Sequence, residues 1–327
     1  MPANLTPEYL NAEEQYKKAK TDEERLQSLE MMLATIPKHK GTEKMQADIK
    51  SRISKLRKGQ GKKGGKHTFS YHVEKQGAAQ VIVIGPPNTG KTSLINKVTN
   101  ARLTVGDYPF TTRIMQPAMM PFENIQIQLV DTPAIAPDYY ERWVFGLIRN
   151  ADMALLIIDA SNPDLLDNID SVSSILESGK IRMEKECARA ESFSSYHLIK
   201  TLLVPNKMEM PDSADNLEIV REFYGDKFNI FPVSSATGEG LEALKKGIFN
   251  HLSIVRVYTK PHGKTPDLNH PFILPAGKTV EDLAYHIHKE LARDMKFARI
   301  WGKGYYDGQP VDRRHPLNDG DIIEIHT

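Results

Sequence analysis

Gly85-Pro86-Pro87-Asn88-Thr89-Gly90-Lys91-Thr92 fits the pattern G-x-x-x-x-G-K-[ST], and its reading decides the fold of the central part of the chain. Val81-Ile82-Val83-Ile84 before it is a continuous apolar run, as expected of a strand buried on both faces. Lys91 to Val98 after it reads as helix. Strand, loop and helix in that order make a phosphate-binding loop. The glycines let the backbone close around phosphate oxygens with its N–H groups pointing inward, and the helix N-terminus adds positive potential. Lys91 reaches the β and γ phosphates, and Thr92 offers its hydroxyl to magnesium.

Working outward, Gln80 to Leu252 alternates strand and helix, the pattern of a mainly parallel, doubly wound sheet covered on both faces. Met153 to Ile158 and Leu202-Leu203-Val204 are continuous buried runs, and Asn229 to Val233 reads as a further strand. Ile125 to Val130 instead alternates apolar with polar residues, which predicts the antiparallel edge of the sheet. Leu241, Leu244, Ile248 and Leu252 give a closing helix.

The nucleotide site needs a metal-positioning acid, a γ-phosphate sensor and a base pocket. Asp131 closes the strand ending Leu129-Val130 and opens the turn Asp131-Thr132-Pro133-Ala134, so its carboxylate can hold a magnesium-bound water. Asp107-Tyr108-Pro109-Phe110-Thr111-Thr112-Arg113 is a proline-broken segment suited to a switch. Asn206-Lys207-Met208-Glu209 follows a buried strand. A carboxylate there accepts from guanine N1–H and the 2-amino group, whereas adenine lacks that donor arrangement. Ser234-Ser235-Ala236-Thr237 lies where a backbone N–H can read guanine O6. Nucleotide contacts are therefore expected from Gly85, Asn88, Thr89, Gly90, Lys91, Thr92, Ser93, Asn206, Lys207, Glu209, Ser235 and Ala236.

The 327 residues suffice for about two domains, and 40% hydrophobic content supports a real core. A formal net charge of +1 excludes a strongly basic global field, so any nucleic-acid affinity must come from a local segment. Cys187 is the only cysteine, which excludes an intramolecular disulfide or a multi-cysteine zinc site and points to a reducing compartment. No apolar run approaches the roughly 20 residues of a membrane span and no signal pattern opens the chain, so a cytoplasmic protein without membrane contact is expected.

Residues 1–66 read as a basic helical region and linker. Thr6-Pro7 and a Thr21/Glu24 capping box start helices, the second carrying Leu26, Leu29, Met32 and Leu33. A third, from about Thr42, places Met45, Ile49, Ile53 and Leu56 on one face. Lys58 to Lys66 is glycine-rich and basic, a flexible segment able to lie along a phosphate backbone through Lys62, Lys63 and Lys66. Residues 67–252 form the nucleotide-binding domain, and 253–327 a small α+β module. In the module Thr279 and Asp282 cap a helix through Leu291, ahead of strands at Phe297 to Trp301 and Ile322 to Ile325.

With its five motifs in order, the central domain resembles a translation-factor-class P-loop GTPase of the Obg-like group. Ile36 to Glu43, Lys55 to Lys58, and Val257-Tyr258-Thr259-Lys260-Pro261 through Trp301-Gly302 further resemble the DRG (developmentally regulated GTP-binding) subfamily, whose C-terminal TGS domain is a ubiquitin-like β-grasp. The resemblance covers nearly the whole chain. It implies a GTPase cycling between GTP and GDP that works on ribosomes or structured RNA with a protein activator. Thr112, as the second threonine of the first switch, would carry magnesium beside Thr92 and Asp131, and Lys91, Asn88 and Thr112 form the catalytic set. Asn88 stands where similar potassium-activated GTPases hold a monovalent cation by an asparagine oxygen.

The chain departs from the family pattern in three places. Glu209 replaces the usual aspartate, one methylene longer, and Ala134 replaces a glycine. Ile135, by contrast, follows the family, which the resemblance implies has a hydrophobic residue where Ras-type enzymes orient water with a glutamine, and slow intrinsic hydrolysis. Only Asp138 to Asn150 separates the second switch from the next strand, too little for the subdomain that DRG proteins usually insert there. These departures keep two competing readings in play, a nucleotide-binding RNA adaptor with negligible hydrolysis and an ATPase with relaxed base choice.

Overall fold

The computed structural model describes residues 7–18, 22–36, 42–59, 73–99, 101, 116–186 and 195–327. They belong to two compact units, divided between Ser70 and Tyr71. The first contains α1 (Pro7–Lys18), α2 (Asp22–Thr35) and α3 (Glu43–Gly59). Pro7 occupies the first helical position of α1, where its missing N–H costs nothing. Tyr9 and Ala12, Leu29, Met32 and Ile36, and Ile49 and Ile53 bury one face of each helix together. Each large member of that cluster contributes roughly 1.5–3 kcal/mol. Thr6, Thr21, the Leu56 side chain and the basic run from Gln60 through Lys62, Lys63 and Lys66 lie outside the described residues, as does Cys187.

The second unit starts with β1 (Gln80–Ile84), α4 (Lys91–Val98), β2 (Gln116–Phe122), β3 (Ile125–Asp131), α5 (Val144–Asn150) and β4 (Met153–Asp159). It continues with α6 (Leu165–Ser178), β5 (Ile181–Glu184), β6 (His197–Asn206), α7 (Ser213–Tyr224), β7 (Asn229–Ile230) and α8 (Leu241–His251). The sheet runs β2-β3-β1-β4-β6-β5, with β7 also paired to β6, and every pairing is parallel except β2 with β3. The apolar run of β1 is explained by its two faces. Ile82 and Ile84 pack with Val144, Ile148, Ile169 and Val172 from α5 and α6, and Val81 and Val83 pack with Leu94, Ile95, Leu244 and Ile248 from α4 and α8.

Three expectations need correction. β3 is not the edge. β2 lies outside it as the antiparallel edge strand, where Pro117 and Pro121 are tolerated because one side of an edge strand needs no ladder donors. The alternation in β3 misleads because Gln128 is buried, accepting a 2.8 Å hydrogen bond from Gln80 Nε2. The strand expected at Asn229 to Val233 is regular only at Asn229 and Ile230, although Phe231 N and Val233 N still donate to the Leu203 and Pro205 carbonyls of β6 at 2.9 and 2.8 Å; Pro205 has no N–H to return to that stretch. The single helix expected through Leu291 is two, α9 (Val280–Ile287) and α10 (Lys289–Asp294), broken at His288 with extended φ −164° and ψ 138°. The capping box itself is present, with Thr279 accepting from Asp282 N and Asp282 accepting from Thr279 N.

The C-terminal sheet is made of β8 (Ile254–Thr259), β9 (Phe272–Pro275), β10 (Phe297–Trp301), β11 (Gln309–Val311) and β12 (Ile322–His326), in the order β11-β10-β12-β8-β9. β8 and β12 are parallel and the other pairs antiparallel, with α9 covering one face through Val280, Leu283 and Ala284. This module docks on the β2–β3 turn. Arg256 forks onto Asp319 at 2.7 and 3.0 Å, pairs with Glu123, and lies 4.7 Å over the Phe249 ring. Asn124 Nδ2 donates to Tyr258 Oη at 2.7 Å and to the Leu268 carbonyl at 3.0 Å. No described helix is long and apolar enough to cross a membrane.

Candidate nucleotide-binding site

Because β1, β3, β4, β6 and β7 are parallel, the loops after them gather along one edge of the sheet, where ligands of open α/β sheets bind. Gly85 leaves β1 at φ 147°, and a Cβ there would sit 2.2 Å from the Ile157 carbonyl oxygen of β4. Gly90, the N-cap of α4, has φ 84°, and a Cβ would meet Asn206 Nδ2 at 2.4 Å. Asn88, between them, is exposed and holds a left-handed φ of 60°, a conformation asparagine tolerates better than most residues. No side chain caps α4, so its first N–H groups face the loop cavity.

Lys91 is buried beneath this loop and donates to the carbonyls of Gly85 at 3.1 Å and Pro86 at 2.6 Å. Burial pushes its ammonium down to about 8, against the opposing pull of Asp131. Thr92 Oγ1 donates to Asp131 Oδ2 at 2.6 Å. Asp131 Oδ1 is buried and has no hydrogen-bond partner. Burial accordingly raises the Asp131 carboxyl above its ordinary range, though the Thr92 hydroxyl, Lys91 and the Thr132 N–H oppose the shift. A buried carboxylate oxygen with nothing to bind, beside a threonine hydroxyl, fits a hard cation such as Mg2+. Thr89 Oγ1 closes the loop on the Pro86 carbonyl, and Ser93 is half-buried at the start of α4.

The turn after Asp131 is held against β1: Thr132 Oγ1 donates to the Val83 carbonyl at 2.7 Å, and Ile135 N to the Gly85 carbonyl at 3.1 Å. Ile135, 2% exposed, packs among Ile84, Val144 and Ile148 and points away from any position where water could be oriented. Ala134 does not need positive φ, so a Cβ is tolerated there. Thr112 and the rest of the first switch lie outside the described residues.

Asn206, the last residue of β6, is fully buried and spends its side chain on protein. Nδ2 donates to the Thr89 carbonyl at 2.8 Å, and Oδ1 accepts from Ser235 N at 3.0 Å. It therefore ties the phosphate loop to the loop after β7. With the Ser235 N–H taken, the exposed Ala236 N–H, which has no partner among the described residues, is the donor left for a base oxygen. Glu209 is exposed, its carboxylate free for a base edge. Lys207, at φ 66°, is held by Asp159 at 2.6 Å. Although burial acts to raise Asp159, the Lys207 ammonium and the Ser161 hydroxyl and N–H hold it below its ordinary range. Sequence reading missed Asp159, although it closes an apolar strand just as Asp131 does.

A family model described as a 50S ribosome-binding GTPase matches residues 80–188, and a TGS domain model matches residues 255–327. An uncharacterised GTP-binding protein of Methanocaldococcus jannaschii is 30% identical over 93% of this chain and 92% of its own length. Developmentally-regulated G-protein 1 of Arabidopsis thaliana is 27% identical over 92% of this chain and 90% of its own. Developmentally-regulated GTP-binding protein 1 of Xenopus laevis is 27% identical over 92% and 98%. Among solved structures, Era of Aquifex aeolicus aligns with 68% of this chain and 71% of its own at 19% identity and a TM-score of 0.42. The archaeal alignment runs over 363 residues, more than the 327 of this chain, so that relative carries residues without a counterpart here. Between Asp138 and Asn150 this chain has room for little more than α5.

Proposed function

This chain belongs to the family of developmentally regulated GTP-binding proteins, GTPases with a C-terminal TGS domain, and on that premise we propose that it hydrolyses GTP to GDP and phosphate while acting on ribosomes or structured RNA. The observation that carries the reading is the pair of under-compensated charges beneath the loop: a buried Lys91 ammonium held only by carbonyls, and an orphaned Asp131 oxygen. Phosphate oxygens give Lys91 the anionic partner it lacks, and the N–H groups at the start of α4 add further donors. Thr92 and Asp131 would hold Mg2+, with Thr112 joining from the first switch. When bound, that ion neutralises charge on the β and γ phosphates.

Base choice falls to Glu209, whose carboxylate accepts from guanine N1–H and the 2-amino group, and to the Ala236 N–H, which donates to O6. Asn206 and Lys207 position those loops through Thr89, Ser235 and Asp159. Ile135 is in the core and cannot orient water, so catalysis has to rest more on stabilising the charge that develops between the β and γ phosphates. The Asn88 amide, exposed and without a hydrogen bond among the described residues, is suited to hold potassium there. The ribosomal part of the reading is supported by the description of the matching GTPase family and by the basic run through Lys62, Lys63 and Lys66. A GTPase that acts on ribosomes would work in the cytoplasm.

The test is single-turnover hydrolysis of GTP in potassium and in sodium at matched ionic strength, with GDP and ADP affinities measured alongside. Potassium stimulation that Asn88→Ala abolishes, with GDP bound at least about tenfold tighter than ADP, is expected. Equal GDP and ADP affinity would promote the ATPase reading. Tight GDP binding with no turnover in either salt would promote the adaptor reading, which the buried Ile135 favours. Sedimentation with ribosomes in GDP and in a non-hydrolysable GTP analogue tests the partner.

A further inference from the structure

The C-terminal sheet carries a side-chain cluster that the nucleotide site does not use. Glu324 and His326 are two residues apart on β12 and so face the same side of the strand, and His262 comes from the turn after β8. Among the described residues, this is the group of three His, Cys, Asp or Glu whose ligand atoms lie within 4.8 Å of one another. Both rings approach one oxygen, Glu324 Oε1, His262 Nδ1 at 3.0 Å and His326 Nε2 at 2.8 Å. His326 Nε2 is buried, and in spite of that short distance it makes no hydrogen bond, since the N–H axis misses the oxygen.

Two imidazole nitrogens and a carboxylate oxygen brought this close are the donor set of a borderline-soft divalent ion. Glu324 is 3% exposed, and its other oxygen is engaged by Lys260 Nζ at 2.6 Å, which leaves Oε1 as the single donor toward the rings. Phe297 stacks on His326 with 4.5 Å between ring centroids and 6° between planes, which fixes that ring. His262 is exposed, so its ring can move, and the side it faces stays open to solvent. Tetrahedral bonds of about 2.1 Å put donors roughly 3.4 Å apart, so each nitrogen need retreat only about half an ångström to admit an ion.

We propose that His262, Glu324 and His326 bind one first-row divalent metal ion, Zn2+ foremost, on the open face of the C-terminal sheet, with a fourth position left to solvent. The ion fastens the turn after β8 to β12, in place of the contact that the two rings now share with Oε1. Because the Lys260 ammonium stays on the same carboxylate, it offsets part of the charge available to the metal, and the affinity is lower than that of an all-protein structural zinc site.

Calorimetric titration of the chelator-stripped full chain with Zn2+, in excess Mg2+ to fill oxygen-rich sites, should show one saturable site per chain. His262→Ala and His326→Ala should each weaken it at least tenfold. Because His262 is exposed, its removal leaves the fold intact. Co2+ added to the unmutated chain should give the intense visible bands of a tetrahedral ion, a readout independent of any variant. Zn2+ binding unchanged in His262→Ala assigns the ion to other histidines and overturns the proposal, as does a Co2+ spectrum like that of the hydrated ion.

Discussion

Replacing Asn206 by alanine removes both hydrogen bonds that join the phosphate loop to the loop after β7, and it leaves the Thr89 carbonyl and the Ser235 N–H facing each other across a gap. Each group stripped of its partner in a buried setting costs about 1–3 kcal/mol, and the Ser235 side is partly wet, so the two together cost about 2–4 kcal/mol. That cost appears in nucleotide affinity to the extent that the loops loosen in the free protein and must be re-ordered on binding. A weakening of GDP binding by about thirtyfold to several-hundredfold follows at 1.4 kcal/mol per decade. Since both amide atoms are spent on protein and none on a base, GDP and ADP should weaken by the same factor. Glu209→Ala, by contrast, should change their ratio. Fluorescent-nucleotide titration of both nucleotides, paired with urea unfolding of the free variant, reads both parts of the cost. A variant that binds GDP within threefold of the unmutated protein and unfolds at the same urea concentration would refute the tether, and a loss confined to guanine nucleotides would make Asn206 a base contact instead.

Two more outcomes follow from the same geometry. Lys91 titrates at about 8 in the folded chain against an ordinary 10.5, so the nucleotide-free protein binds fewer protons than its unfolded form between those values and gains stability, on the order of 3 kcal/mol, as pH rises through that window. Lys91→Met, or saturation with GDP and Mg2+, should flatten the rise in a pH series of denaturant midpoints, and an unmutated profile already as flat as the variant's would contradict it. Arg256→Ala removes the pair with Glu123 and the contact with the Phe249 ring, interactions by which this side chain, only 12% exposed and aimed by Asp319 of its own module, crosses the domain junction, costing about 1.5–2 kcal/mol there. Limited proteolysis near Leu252 and Ser253 should accelerate by roughly tenfold or more, and an unchanged cleavage rate would show that the junction stands without Arg256.

Much of the site was legible because phosphate binding constrains sequence over short spacings. One loop, one lysine and one strand-ending aspartate mark a candidate cradle, and the fold brings Thr92 onto Asp131 beside the buried Lys91. What the sequence hid depends on distant partners. Gln128 looks like a solvent-facing strand residue until Gln80 is placed 48 positions away to satisfy it, and that pair moved the edge of the sheet from β3 to β2. His288 has no local signal that would break a helix, yet it takes extended φ and its ring accepts from Glu290 N to start α10. Asn206 carries the base-pocket motif, but its work is between loops, a role that only the positions of Thr89 and Ser235 reveal. Strands β5, β9 and β11 are too short for a periodic pattern to announce them.

The placement of the two folded modules follows from one hairpin. β2 and β3 pair from Gln116 opposite Asp131 to Phe122 opposite Ile125, so Asp131 and the Glu123-Asn124 turn lie at opposite ends of the same ladder. Seven residues at about 3.4 Å each make that ladder roughly 20 Å long. The C-terminal module grips the turn end through Arg256 and Tyr258, while Phe122 stacks on Phe249 and Ile254 and Ile273 pack against the apolar cluster beneath α4 and α8. Only Leu252 and Ser253 separate α8 from β8, too short a link to let the modules swing while those contacts hold. The module therefore occupies the edge of the sheet opposite the nucleotide loops. Its hydrogen bonds and ion pairs to the nucleotide-binding domain reach Glu123, Asn124 and Lys200, none of them in a nucleotide loop. A macromolecule that touches both the nucleotide loops and the C-terminal module must reach about 20 Å along the β2–β3 hairpin, a span within the reach of a structured RNA and equally of a protein of ordinary domain size.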